Sequence, residues 1–293
     1  MLFTYTFAQQ DAKVSHYMYN TMLFNPAFAG SSNDVCATLI NRQQWKGFAG
    51  APKTSTLTLE GIIRPFKKKS GLGLIINSDN IGNHKQFNGK IAYSYHKKIW
   101  NGQLFTGLNM GLFNQEVTPN TKFPESTEVL YDQDAIGMVF DMDMGTYYKS
   151  EKYYLSFSVT HLNQPTFNFE RNAINPSLKR HYFLTGGYNL SLESAFIDVL
   201  PTFMIKSDGA DTQISISTNV TYNKKFWGGV SYSGFDALIF MAGLELKNGI
   251  KFGYAYDVNL TALRKATHEV YINYCFNLTR DRMPQNYKSV RFL

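Results

Sequence analysis

Cysteine is nearly absent: Cys36 and Cys275 are the only two in 293 residues, which excludes a disulfide framework and a cysteine-based zinc site. Charged residues are also scarce, at 17% against about 25% in ordinary soluble domains. No stretch of about 18 consecutive apolar residues occurs, so helical membrane spans are excluded. Apolar repeats at three and four residues, the mark of amphipathic helices, are missing too. The six histidines (16, 84, 96, 161, 181 and 268) show no zincin or deaminase spacing. Neither a G-x-S-x-G elbow nor a phosphate-binding glycine loop is present. The expectation is therefore a protein without catalytic residues, metal ligands or a cofactor.

Aromatic residues are abundant instead, at 15% with 23 Phe and 19 Tyr. They recur at period two, opposite Asn, Ser, Thr and Lys. In 85–96, Phe87, Ile91, Tyr93 and Tyr95 share one face, while Gln86, Asn88, Lys90, Ser94 and His96 share the other. In 138–148, Met138, Phe140, Met142 and Met144 lie opposite Asp141 and Asp143. Strict alternation over such lengths is a strand signature. Breaks at Gly, Pro, Asn, Asp and Lys clusters delimit fourteen strands at 35–43, 53–63, 70–78, 85–96, 102–115, 138–148, 153–162, 180–190, 197–206, 211–222, 226–234, 237–246, 250–257 and 268–278. Most have the length that a tilted strand needs to cross a bilayer. An even number of such strands predicts an all-β fold: a transmembrane antiparallel β-barrel of the outer membrane, with periplasmic termini.

The connections test this independently. Those after even-numbered strands are short: RPFKKK (64–69), KKIWNG (97–102), KSEK (149–152), NKK (223–225) and KNG (247–249). Those after odd-numbered strands include the long ones, 116–137 and 163–179. Short periplasmic turns and long extracellular loops are the barrel pattern. The formal net charge of +7 segregates accordingly. Lys67, Lys68, Lys69, Lys97 and Lys98 fall in short turns, and Arg280, Arg282, Lys288 and Arg291 in a C-terminal tail on the same side. They form a basic rim suited to lipid phosphates or to a periplasmic partner, with no nucleic-acid groove required. Glu125, Glu128, Asp132 and Asp134 fall in the first long loop, and Phe167 and Phe169 in the second; these are the candidates for contact with an extracellular cargo.

The segment YMYNTMLFNPAFAG (17–30) carries no charge, four aromatics and one proline. It is too polar for a helical span, too interrupted for a long helix and too aromatic for a linker. It fits a plug in the barrel mouth, burying Tyr17, Tyr19, Phe24, Pro26 and Phe28 while its backbone bonds polar lumen residues. A clasp beneath the barrel is the other placement. The chain divides into 1–8, a signal-peptide remnant ending at small Ala8; 9–33, the periplasmic or plug segment; 34–278, the barrel; and 279–293, the tail. Asp141 and Asp143 could mimic a glycosidase pair, but interior polar residues of barrels more often bond one another. Pairing of the first and last strands makes Cys36 and Cys275 a candidate close pair, within about 10 Å. Two unbonded thiols are the favoured state, a cross-strand disulfide the alternative.

The stretch AQQDAKVSHYMYNTMLFNPAFAGS, with NRQQWKGFAGAP at the end of the first strand, resembles the start of PorP/SprF-family proteins. The C-terminal HEVYINYCFNL and the ending YKSVRFL look more like the SprF branch. The resemblance covers essentially the whole chain and departs from the family at the incomplete signal sequence. It implies a non-enzymatic outer-membrane barrel of the type IX secretion and gliding-motility machinery of Bacteroidetes. The implied role is secretion or surface anchoring of a large adhesin through its C-terminal domain. Periplasmic ring or lipoprotein components would be the inner partners. Set against this adaptor is a porin or transporter for a small solute or hydrophobe. A soluble β-rich protein would expose too much aromatic surface.

Overall fold

The computed structural model describes residues 13–65, 68–118, 135–169, 175–192, 196–234, 236–261 and 265–276. The strands are β1 (Val35–Gln43), β2 (Lys53–Ile63), β3 (Ser70–Ile81), β4 (His84–Ile99), β5 (Gly102–Val117), β6 (Ala135–Lys149), β7 (Tyr153–Thr160) and β8 (His181–Tyr188). They continue as β9 (Leu190–Leu192), β10 (Ile197–Ser207), β11 (Thr212–Tyr222), β12 (Phe226–Ser233), β13 (Ala237–Glu245), β14 (Ile250–Asn259) and β15 (Thr267–Phe276). Each pairs antiparallel with its neighbour, and β15 pairs with β1, so the sheet closes. The three-residue β9 adjoins β10 on the same edge as β8. β8 and β9 thus form one strand interrupted at Asn189, whose N–H is donated instead to Lys152 O at 2.6 Å. The wall is a closed barrel of fourteen strands.

Closure removes the unpaired edges that an open sheet of this size would carry. Side chains alternate as the sequence requires: Leu72, Ile91, Phe157, Ile216, Phe240 and Val270 are exposed outward, while Thr56, Asn109, Ser158, Ser217 and Asn219 are buried inward. The outward face is apolar because lipid covers it, and the inward face is polar. No helix among the described residues is long and apolar enough to cross a membrane. The turn rim is the one that carries the first residue of β1 and the connections between β4 and β5 and between β11 and β12. The opposite, loop rim carries the last residues of β1, β5, β7 and β14.

The barrel seam is fixed by register. Cys36 stands directly opposite Cys275, and the two are joined by a disulfide with Cα atoms 4.1 Å apart. The structure therefore carries a bond where two thiols were the favoured expectation. Cys275 N–H is donated to Gly249 O, away from β1, which makes Cys36 and Cys275 a non-hydrogen-bonded pair, the closer of the two antiparallel pair types. The bond spans 239 residues of sequence. Boiled, unreduced protein should consequently migrate faster in denaturing gels than boiled, reduced protein. Equal mobilities would show that the thiols are free.

Candidate functional site

The lumen is occupied by the chain's own N-terminal segment. Residues 14–33 form three single 3-10 turns, Tyr17–Tyr19, Thr21–Leu23 and Pro26–Phe28. Asn20 and Asn25 stand at the N-caps of the second and third turns. Asn25 caps the third turn by accepting from Ala27 N–H at 2.8 Å, and Pro26 supplies the first helical position, where its missing N–H costs nothing. Tyr17, Phe24 and Pro26 are buried, and Tyr19 and Phe28 are half-buried. Phe24 packs on Phe183, Tyr19 on Trp227 and Tyr271, and Phe28 on Tyr147. Each fully buried aromatic of this kind contributes about 1.5–3 kcal/mol.

Backbone groups of the segment find partners on the wall, as burial demands. Ser158 Oγ donates to Phe24 O at 2.7 Å and Ser94 Oγ to Ala29 O at 2.6 Å. Gly30 N–H reaches Glu60 at 2.9 Å. The Asn25 amide donates to Ser156 Oγ at 2.7 Å and Thr146 O at 2.8 Å, and the Tyr17 hydroxyl lies 3.0 Å from Thr202 Oγ1. Inward-facing glycines make the space. A Cβ on Gly71 would lie 1.9 Å from Ala29 O, and one on Gly107 2.3 Å from Ala27 N. Any larger residue there would force the segment out of place.

Two ionic layers brace the filled lumen towards the loop rim. In the first, Arg42 donates to Asp257 at 2.7 Å and to Glu269 at 3.1 Å. Glu269 also accepts from Ser15 N–H and His16 N–H, each at 2.8 Å, and from His16 Nδ1 at 2.6 Å. Ser15 Oγ bonds Asp257, and the His16 ring stacks on Tyr271. In the second layer, Lys90 Nζ lies 2.6 Å from Asp141 and 2.7 Å from Asp143. His161 Nδ1 contacts Asp141 at 2.7 Å, and His161 N–H is donated to Asp143 at 2.8 Å. Asp141, Asp143 and His161 converge as metal ligands would, but the Lys90 ammonium already bridges the two carboxylates. Sequence reasoning placed Lys90, Asp141 and Asp143 on one face yet missed their pairing, which crosses from β4 to β6.

The segment runs from rim to rim, further than a plug in one mouth. Asn33 lies beside Lys69 on the turn rim, whereas Lys13 is paired with Asp236, between β12 and β13 on the loop rim, at 3.0 Å. Residue 13 therefore lies at the end opposite Phe276. Phe167 and Phe169 require a correction as outward contacts. They are 0% and 2% exposed, packed with Phe113, Val117, Ala135 and Leu178. The connection folds back through Phe167 N–H to Pro176 O and Leu178 N–H to Pro165 O, laying its apolar side over upper β5 and β6. Lys68, Lys69, Lys97 and Lys98 are exposed on the turn rim. Trp100, which sequence reasoning passed over, stands beside them 90% exposed. Lys67, Glu125, Glu128, Asp132, Asp134, Arg280, Arg282, Lys288 and Arg291 lie outside the described residues.

A family model described as type IX secretion system membrane protein PorP/SprF matches residues 6–274. No curated protein matches the sequence. Among solved structures, the CymD monoaromatic hydrocarbon channel is similar at 12% identity and a TM-score of 0.51, covering 88% of this chain and 92% of that one. The Ralstonia pickettii toluene transporter TbuX is similar at 11% identity and a TM-score of 0.49, covering 87% and 93%. At these identities the likeness to CymD concerns the barrel fold alone.

Arg42→Met should leave two buried carboxylates without their cation and lower barrel stability by about 3–5 kcal/mol. Neutralising the partners as well (Asp257→Asn and Glu269→Gln) should recover part of that loss. Lys85→Ala, which breaks an exposed pair with Glu116, should cost at most about 1 kcal/mol. The midpoint of heat-induced mobility change in detergent reads all three.

Proposed function

The chain belongs to the PorP/SprF family of type IX secretion system membrane proteins, and we propose that it works there as a plugged adaptor, not as a pore. It is an integral outer-membrane barrel. The observation that carries the proposal is the filled lumen: the N-terminal segment is bonded to the wall from Lys13 to Asn33, with neither rim left unanchored. A barrel so filled offers two faces instead of a conduit. The turn rim, with exposed Lys68, Lys69, Lys97, Lys98 and Trp100, suits lipid phosphates and an acidic surface on the periplasmic ring or lipoprotein components. In this reading the turn rim faces the periplasm. The loop rim then faces outward and receives the C-terminal domain of a secreted adhesin, whose anchoring or export the barrel supports. In a gliding cell this would couple adhesin to machine.

One observation favours a second reading. Small cavities flank Phe24 on both sides, one lined by Tyr17, Phe183 and Met204 and the other by Leu23, Ile75 and Lys90. A solute or hydrophobe entering from the loop rim would begin there.

Planar-bilayer conductance separates the two readings. The intact protein should be electrically silent, and deletion of residues 13–30 should give a stable pore. Gly107→Leu, which crowds Ala27, should give intermittent openings. A steady pore in the intact protein would overturn the adaptor. Reversal of charge at Lys97 and Lys98 together with Arg280, Arg282, Lys288 and Arg291 should abolish co-purification of the periplasmic components while membrane insertion persists. Unchanged recovery of those components would remove the basic rim from the proposal.

A further inference from the structure

Among the described residues, the ladder is incomplete along the upper part of β6. β6 pairs with β5 over its full length, from Val117↔Ala135 to Gln103↔Lys149, but with β7 only from Met144 to Lys149. Beyond Met144 the chain that should continue β7 bends into the lumen as the folded-back connection. Leu162 N–H is donated to Met142 O at 2.7 Å, and the Asn163 side chain accepts from Met142 N–H and donates to Phe140 O. There the edge pairing stops. Those bonds also fix the parity: the even-numbered residues of β6 direct their backbone N–H and C=O groups away from β5, because these groups alternate sides along a strand. The outward backbone groups of Ile136 and Met138 have no partner among the described residues. Their side chains are 64% and 63% exposed, more than any other large apolar side chain in the described strands.

Such an edge cannot lie bare in hydrocarbon, where each unpaired backbone group costs several kcal/mol. Its height resolves this. Ile136 is opposite Glu116, which is opposite Lys85, and those two form an exposed ion pair at 3.0 Å. The free edge thus sits at the upper margin of the apolar band, on the loop rim, accessible from solution. Lipid offers nothing that donates and accepts at strand spacing; an extended polypeptide does.

We propose that the upper edge of β6 is a strand-addition site for an extended segment of the cargo's C-terminal domain, an occupant that rests on the cargo reading above. The added strand would bond Ile136 and Met138 and end at Asn163. Its outward residues would be apolar, continuing Ile136 and Met138, and its inward residues would meet the ring of Phe169. A second copy of this chain fits less well. Pairing β6 with β6 about Met138 sets each Phe140 against Ile136 of the other copy, and the Phe140 carbonyl is already engaged by Asn163.

The test is amide hydrogen exchange on the full chain in detergent micelles, alone and with the recombinant C-terminal domain of an adhesin exported by the same cell. Exchange at Ile136 and Met138 should slow on the order of tenfold when the domain binds. Met138→Pro removes an edge donor without touching the β5 ladder and should weaken binding about tenfold. Heat-modifiable mobility checks that the variant folds, and exchange in the unaltered chain needs no variant. Binding without protection, and undiminished by Met138→Pro, would overturn the strand-addition site while leaving the cargo reading intact. Protection already present in the barrel alone, as a dimer or a monomer, would overturn it in favour of a second copy or the chain itself. Failure of the domain to bind at all would defeat the cargo reading and, with it, this occupant.

Discussion

The carboxylate of Glu269 is the junction on which the arrangement depends. It belongs to the last strand, receives the guanidinium of Arg42 from the first, and accepts two N–H groups and an imidazole from the lumen segment. A buried carboxylate is tolerable only when its lone pairs are met. Here the groups that meet them come from two other parts of the chain, the first strand and the lumen segment, both distant in sequence. Closing the barrel, seating the segment and satisfying the charge are consequently one event. The same logic repeats around Asp141 and Asp143, where Lys90 from β4 and His161 from the end of β7 converge.

Much of this was legible before any coordinates. Period-two alternation specifies which face meets lipid, because a one-residue slip would invert every side chain. Strand limits such as 35–43 and 53–63 coincide with β1 and β2, and the alternation of short and long connections gives the two rims. The uncharged, aromatic stretch at 17–30 marks a segment that needs a polar and apolar container at once. Inward glycines such as Gly71 and Gly107 stand in alternating sets along their strands, but only the folded chain reveals what approaches them.

What escaped the sequence depends on long-range placement. PTFNF reads as a loop because prolines and asparagines surround it, yet Phe167 and Phe169 alternate as strand residues do and turn their rings inward. Pairing of the first and last strands brings Cys36 and Cys275 close on sequence grounds, but only the seam register, which sets them face to face, reveals that they are bonded. The direction of the lumen segment is likewise invisible in the sequence: the pairing of Lys13 with Asp236 at one rim and of Asn33 with Lys69 at the other reveals that it crosses the whole barrel. Trp100 is a surface residue whose position beside the lysines comes from turn geometry.

The disulfide at the seam has a mechanical consequence. It closes residues 36–275 into a covalent ring, and the chain before residue 36 passes through that ring from one rim to the other. In topological terms the molecule is a lasso whose tail is caught in its own loop. Tension on the tail at the Lys13 end draws it further in the direction it is already threaded. That load is delivered to the cross-linked seam, so the tail bears force without relying on the lumen hydrogen bonds alone.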